Sequence, residues 1–130
     1  MPTEDLWGDL PEADASVKPG TVLQEQAGLL ASKTRNVIEG FIQTHAVERG
    51  VILDFSIRCP ALDNYTMHLI RLEHELLHIY PLSLTDMVHD MVYNVDSETA
   101  LRAVLKQVFT SPEVRKVIAA LLREATSVPA

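Results

Sequence analysis

A chain of 130 residues with 47% apolar side chains has room for one well-packed core, so a single globular domain is expected and a fibrous or wholly disordered protein is excluded. The net charge of −7 leaves 11 scattered basic residues with few aromatics among them, which argues against a phosphate-neutralising surface and so against nucleic acid as a partner. One cysteine, Cys59, forbids an internal disulfide and suits a reducing compartment, so a cytoplasmic protein is expected.

Residues 1–20 hold more than half of the excess negative charge, with Glu4, Asp5, Asp9, Glu12 and Asp14 set against Lys18 alone. They also carry three prolines and two glycines and few aliphatic side chains, a mixture that buries too little surface to offset the entropy of ordering. A disordered acidic tail is expected there. It shows no basic region followed by an apolar run, and no uninterrupted apolar stretch reaches membrane-spanning length, so neither export nor membrane insertion is expected. Leu6, Trp7 and Leu10 are open to two readings: incidental residues of an acidic leader, or a short docking motif that orders on a partner.

From Thr21 the pattern changes. Thr21 and Gln24 stand at capping-box spacing, and Val22, Leu23, Ala27, Leu30 and Ala31 recur at helical intervals, so a first helix is expected to end near residues 34–36. Residues 37–47 mix β-branched and aromatic side chains and read as a strand, within which Gly40 signals a bulge or a close backbone approach. After a turn at Glu48-Arg49-Gly50, residues 51–59 alternate Val51, Leu53, Phe55, Ile57 and Cys59 with Ile52, Asp54, Ser56 and Arg58, the period of a half-buried strand. Residues 60–64 form a loop, with Asp63 and Asn64 suited to a turn.

Residues 66–82, TMHLIRLEHELLHIYPL, support two assignments. At 100° per residue Leu69, Ile70, Leu72, Leu76, Leu77, Ile79 and Tyr80 share one half of a helix, with His68, Arg71, His74, Glu75 and His78 on the other. A helix here would leave the two preceding strands as an isolated hairpin, which is marginal in water. Strands at 66–72 and 76–82 around Glu73-His74-Glu75 complete a meander instead, and these are the expected elements. Residues 83–91 are expected as loop, and 92–95 as a short strand.

The last third is clearer. Asp96 or Ser97 caps a helix whose Leu101, Val104, Leu105, Val108 and Phe109 form one stripe. Thr110 ends it, Ser111 caps the next, and Pro112 takes the first helical position, where its missing N–H is harmless. Val114, Val117, Ile118, Leu121 and Leu122 repeat the stripe, so the two helices must pack on each other, on the sheet or on a second copy.

If residues 66–82 were helical, His74-Glu75-Leu76-Leu77-His78 would be an H-E-x-x-H array. A helix stacks residues i and i+4, which would make His74 and His78 zinc ligands and Glu75 the base that takes a proton from metal-bound water. Glu98, twenty positions beyond His78, would be the third protein ligand, with His89 and Asp90 less well placed. Over those five positions the chain resembles the zincin zinc hydrolases, a resemblance that implies the same roles for His74, Glu75 and His78. It departs from the longer metzincin pattern, with Pro81 where that pattern has Gly and Leu84 where it has His.

Other chemistry is sparse. Cys59 lies at a strand end before Pro60, with no cation or helix N-terminus beside it in sequence to activate its thiol. The five glycines are dispersed and form no phosphate-cradling loop. Met67, Met87 and Met91 read as core filler, or, if 87–91 is helical, as a partner site.

The expected protein is therefore a tail over 1–20 and a single α+β domain over 21–127. That domain comprises an N-terminal helix, a four- to five-stranded antiparallel meander and a C-terminal helical hairpin packed on one sheet face. No catalytic, cofactor-binding or metal residue is assigned. The expected role is that of a non-enzymatic protein-interaction domain that self-associates as a homodimer or homo-oligomer, because a one-layer sheet has a second face and two edges to cover or keep polar. The alternative is a zinc-dependent hydrolase using His74, Glu75, His78 and Glu98.

Overall fold

Pro19, preset for a helix and in no need of its N–H, starts helix α1 (Pro19–Lys33) three residues earlier than the Thr21–Gln24 spacing implies. Lys18 is the N-cap in an extended conformation and no side chain caps the helix, so the expected capping box does not form. The structure, a computed structural model, describes residues 3–13 and 18–127; the part of the acidic tail at 14–17, with Asp14, lies outside the described residues. Residues 3–13 contain neither helix nor strand, and Leu6, Trp7 and Leu10 are exposed.

Thr34 ends α1. Its hydroxyl donates to the Leu30 carbonyl at 2.9 Å and accepts the Ile38 N–H at 3.1 Å, while Arg35 and Asn36 take left-handed backbone angles that turn the chain into the sheet.

Five strands follow as an uninterrupted antiparallel meander: β1 (Glu39–Val47), β2 (Gly50–Cys59), β3 (Tyr65–Glu75), β4 (Leu82–Asp86) and β5 (Met91–Val95). Asp63 and Asn64 adopt the left-handed angles expected of the β2–β3 turn. Two sequence expectations are corrected. The turn is not at Glu73-His74-Glu75: these residues continue β3, which pairs with β2 as far as Glu75, and residues 76–81 connect β3 to β4. Residues 82–86, expected partly as loop, are strand β4, placed there by Leu82 and Leu84, both fully buried. Completing the β2–β3 ladder outweighs the tight turn that the Glu-His-Glu triplet suggested.

Pairing sorts the side chains. Ile42, Phe55, Ile70 and Asp86 form one row across the sheet, and Thr44, Leu53, Leu72, Leu84 and Tyr93 the next, both on the face that the helices cover. Gln43, Asp54, Arg71, Thr85 and Val92 form a row on the opposite, mostly polar face. There the Arg71 guanidinium donates twice to Asp54, at 2.7 and 3.2 Å, and Arg58 lies over the Phe41 ring at 4.7 Å. The β2–β3 register shifts between Phe55 and Ser56, so Leu69 is an extra residue opposite them. Such a bulge lets two successive side chains share a face, and Leu69 and Ile70 are both buried.

Ser97 accepts the Ala100 N–H at 3.1 Å and starts α2 (Glu98–Phe109), as its position before the stripe implies. Pro112 opens α3 (Pro112–Ser127). Ser111 precedes it in the expected N-cap position, its carbonyl accepting the Arg115 N–H at 3.0 Å, while its hydroxyl donates to the Val108 carbonyl at 2.7 Å and so seals the preceding helix. The core joins Leu101, Leu105 and Val108 of α2, and Val114 and Leu121 of α3, to the inner sheet face. The fold is the α+β arrangement expected, with five strands and a helical layer on one face. Among the described residues no helix is long and apolar enough to cross a membrane.

Gly40 marks the tightest seam. A Cβ there would stand 2.9 Å from the Ala27 Cβ and 3.0 Å from the Phe55 ring, so the glycine is what lets α1 lie against β1. Of the two readings of this glycine, the close approach is the one observed. Gly40→Ala is expected to destabilise the protein by roughly 1–3 kcal/mol through overpacking, read as a lower urea midpoint with an unchanged slope. A midpoint equal to wild type would show that the seam yields at no cost.

Candidate binding cleft

Two helices present the same spacing towards each other. Gln26, Leu29, Leu30 and Lys33 of α1, and Arg102, Leu105, Lys106 and Phe109 of α2, each fall at i, i+3, i+4 and i+7, one face of a helix. Between them lies a cleft of about 390 Å³, floored by Phe55, Ile57 and Leu69 and closed at one end by Val114 and Ile118 of α3. Within this lining the Phe55 and Phe109 rings meet at 5.4 Å with a 36° tilt. Leu29 at its mouth is 51% exposed. The volume is at the lower end of the range for ligand sites and suits the side chains of a short segment.

The electrostatics of the cleft are one-sided. Lys33, Arg102 and Lys106 line it, and no carboxylate does among the described residues. Arg102 is shared between Glu98 at 3.4 Å and Glu25 at 3.3 Å, so one guanidinium ties α1 to α2. Those carboxylates, Glu25 first, raise its pKa. Among the described residues Thr110 supplies the one hydroxyl of the cleft lining, which donates to the Lys106 carbonyl at 2.6 Å. The sequence carried its signature in the matching QxxLLxxK and RxxLKxxF spacings, but nothing local shows that two separate helices face one another.

The H-E-x-x-H residues are arranged differently. His74 and Glu75 end strand β3, and His78 is exposed in the β3–β4 connection, so the one-turn stacking of the two imidazoles does not form. His74 Nδ1 donates to the Glu75 carbonyl at 2.8 Å. Glu98 is the first residue of α2, paired with Arg102; burial and then its charge push the Tyr80 phenol up.

His89 and Asp90 belong to the β4–β5 turn, where Asp90 adopts a left-handed backbone. The His89 ring is held from both sides: Nδ1 lies 2.6 Å from the buried Asp86 carboxylate and Nε2 2.9 Å from Glu113 in the first turn of α3. Asp86 also accepts the N–H groups of Val88 and His89, at 2.9 and 3.0 Å. The two ring nitrogens point apart, so the carboxylates cannot converge on one cation; the trio holds a proton. Among the described residues no group of His, Cys, Asp and Glu is placed to hold a metal ion.

Ser56 and His68 also pair, Oγ to Nδ1 at 2.8 Å. The serine is 2% exposed and the nearby Asp54 is engaged by Arg71 and His45, so no triad forms and no substrate reaches the hydroxyl. Cys59 is fully buried as a free thiol. Met87 and Met91 flank the β4–β5 turn and are exposed, whereas Met67 packs against the core. No protein-family profile, curated protein or solved structure matches this chain.

Two measurements follow from this geometry. Hydrogen bonds to Glu113 and then Asp86 raise the His89 pKa above its ordinary 6.5, so the stability this group adds is complete below 6.5 and is lost as pH rises through the raised value. The His89 ring and a backbone N–H lower Glu113 from 4.5, so its contribution is present above 4.5 and is lost as pH falls through the lowered value. Urea midpoints of wild type minus His89→Gln are therefore expected to peak between 4.5 and 6.5; a difference that is flat with pH would refute the clasp. Added zinc is expected to leave the melting temperature of wild type and His78→Ala alike unmoved. A zinc-dependent rise lost on His78→Ala would restore the hydrolase reading.

Proposed function

We propose that the chain is a non-enzymatic protein-interaction domain that self-associates through the cleft between α1 and α2. One observation carries the reading: a groove with an apolar floor, an exposed leucine at its mouth and a cationic, carboxylate-free lining. Such a site can take up apolar side chains and orient anionic ones. A protein rather than a nucleic acid is the fitting guest for a chain of net charge −7. A cytoplasmic setting suits its buried free thiol.

A second surface supports a rival mode. The short edge strand β5 leaves its outer backbone edge unpaired, with Met91 50% and Val92 71% exposed, which suits strand-to-strand pairing of two copies. Sedimentation velocity from low to high micromolar chain separates the two. A reversible dimer is expected that Leu29→Glu weakens by about tenfold or more while Val92→Glu leaves it unchanged. The opposite ranking would assign the contact to β5, and a monomer at every concentration would refute self-association.

A further inference from the structure

We infer that the guest of the cleft is the acidic arm of a second copy of this chain, residues 3–13, with Leu6, Trp7 and Leu10 entering the groove and the acids facing its lysines. The inference rests on the cleft reading above and names its occupant. The arm holds Glu4, Asp5, Asp9 and Glu12, no basic side chain, and three large apolar residues that are 86%, 82% and 71% exposed. It has no helix or strand of its own; Gly8, at φ +62°, bends the backbone between Trp7 and Asp9. The cleft is its complement in each respect, with an apolar floor and Lys33 and Lys106, neither of which forms an ion pair among the described residues.

The structure also favours exchange between copies over docking in place. None of the arm's described residues lines its own cleft, and the arm is held in a local turn in which the Trp7 backbone N–H donates to the Asp5 carboxylate at 2.9 Å. Arms exchanged about a two-fold axis make the same contact twice, which a closed dimer requires. Apolar burial by Trp7 supplies most of the affinity, and the charges set orientation and encounter rate.

Trp7 is the sole tryptophan, so its fluorescence reports on the arm alone. In the full-length chain, emission is expected to shift to the blue and become protected from iodide as concentration rises, in step with dimer formation by sedimentation. A full-length variant carrying Leu6→Ser, Trp7→Ser and Leu10→Ser is expected to weaken the dimer by about tenfold or more with an unchanged urea midpoint. Lys33→Glu with Lys106→Glu is expected to weaken it too, and Asp5→Lys with Asp9→Lys to restore part of the loss. Three results would overturn the inference. A dimer unaffected by the triple serine variant yet broken by Leu29→Glu would keep the cleft and reject the arm. A protected Trp7 in a concentration-independent monomer would place the arm in its own cleft. A dimer that survives both Leu29→Glu and the triple serine variant would reject the cleft reading itself.

Discussion

The packing around Phe55 is the constraint on which the rest of the molecule depends. This side chain pairs across strands with Ile42 and Ile70, meets the Phe109 ring, lies against the Gly40–Ala27 seam and forms part of the cleft floor. A five-stranded antiparallel sheet has one apolar face to hide, and here a single ring touches what both walls of the helical layer rest on. Because α1 is drawn down onto β1 at Gly40 while α2 is held by Phe109, the two helices cannot close on one another over the sheet. The cleft is what remains between them.

Polar contacts then act where apolar packing is thin. The Glu25–Arg102–Glu98 group spans α1 and α2, and Asp86–His89–Glu113 fastens the β4–β5 turn to the start of α3. The first is exposed and screened by solvent, so it adds little to stability and only links helices whose spacing the packing at Gly40 and Phe109 has already set. The second rests on a buried carboxylate that accepts two backbone N–H groups, so the turn is organised around it whatever the state of the imidazole. On the far face Asp54, Arg71, His45, Ser56 and His68 satisfy one another and keep that side of the sheet polar.

Much of this was legible in the sequence, for identifiable reasons. The strict alternation of residues 51–59, the Ser97 cap and the Leu101 and Val114 stripes each combine local preference with burial, and all are found. Residues 66–82 are harder because the bulge places Leu69 beside Ile70 on the inner face, and two adjacent apolar residues followed by Leu72 imitate the spacing of a helix. Leu76 and Leu77 reinforce the imitation although they are exposed in the connection to β4. The same imitation gives the H-E-x-x-H array its apparent meaning. The cleft could not be read at all from local pattern, since it depends on α1 and α2, some eighty residues apart in sequence, lying side by side.

The extra residue opposite Phe55 also governs where the chain tolerates changes of length. Anywhere else along β3, losing or gaining one amino acid would invert the orientation of everything beyond it and expose Leu72 to water. At Leu69 alone the ladder already holds a spare position, so its removal would leave every other partner in place and subtract one side chain from the cleft floor. The groove's depth is thereby separable from the architecture that surrounds it.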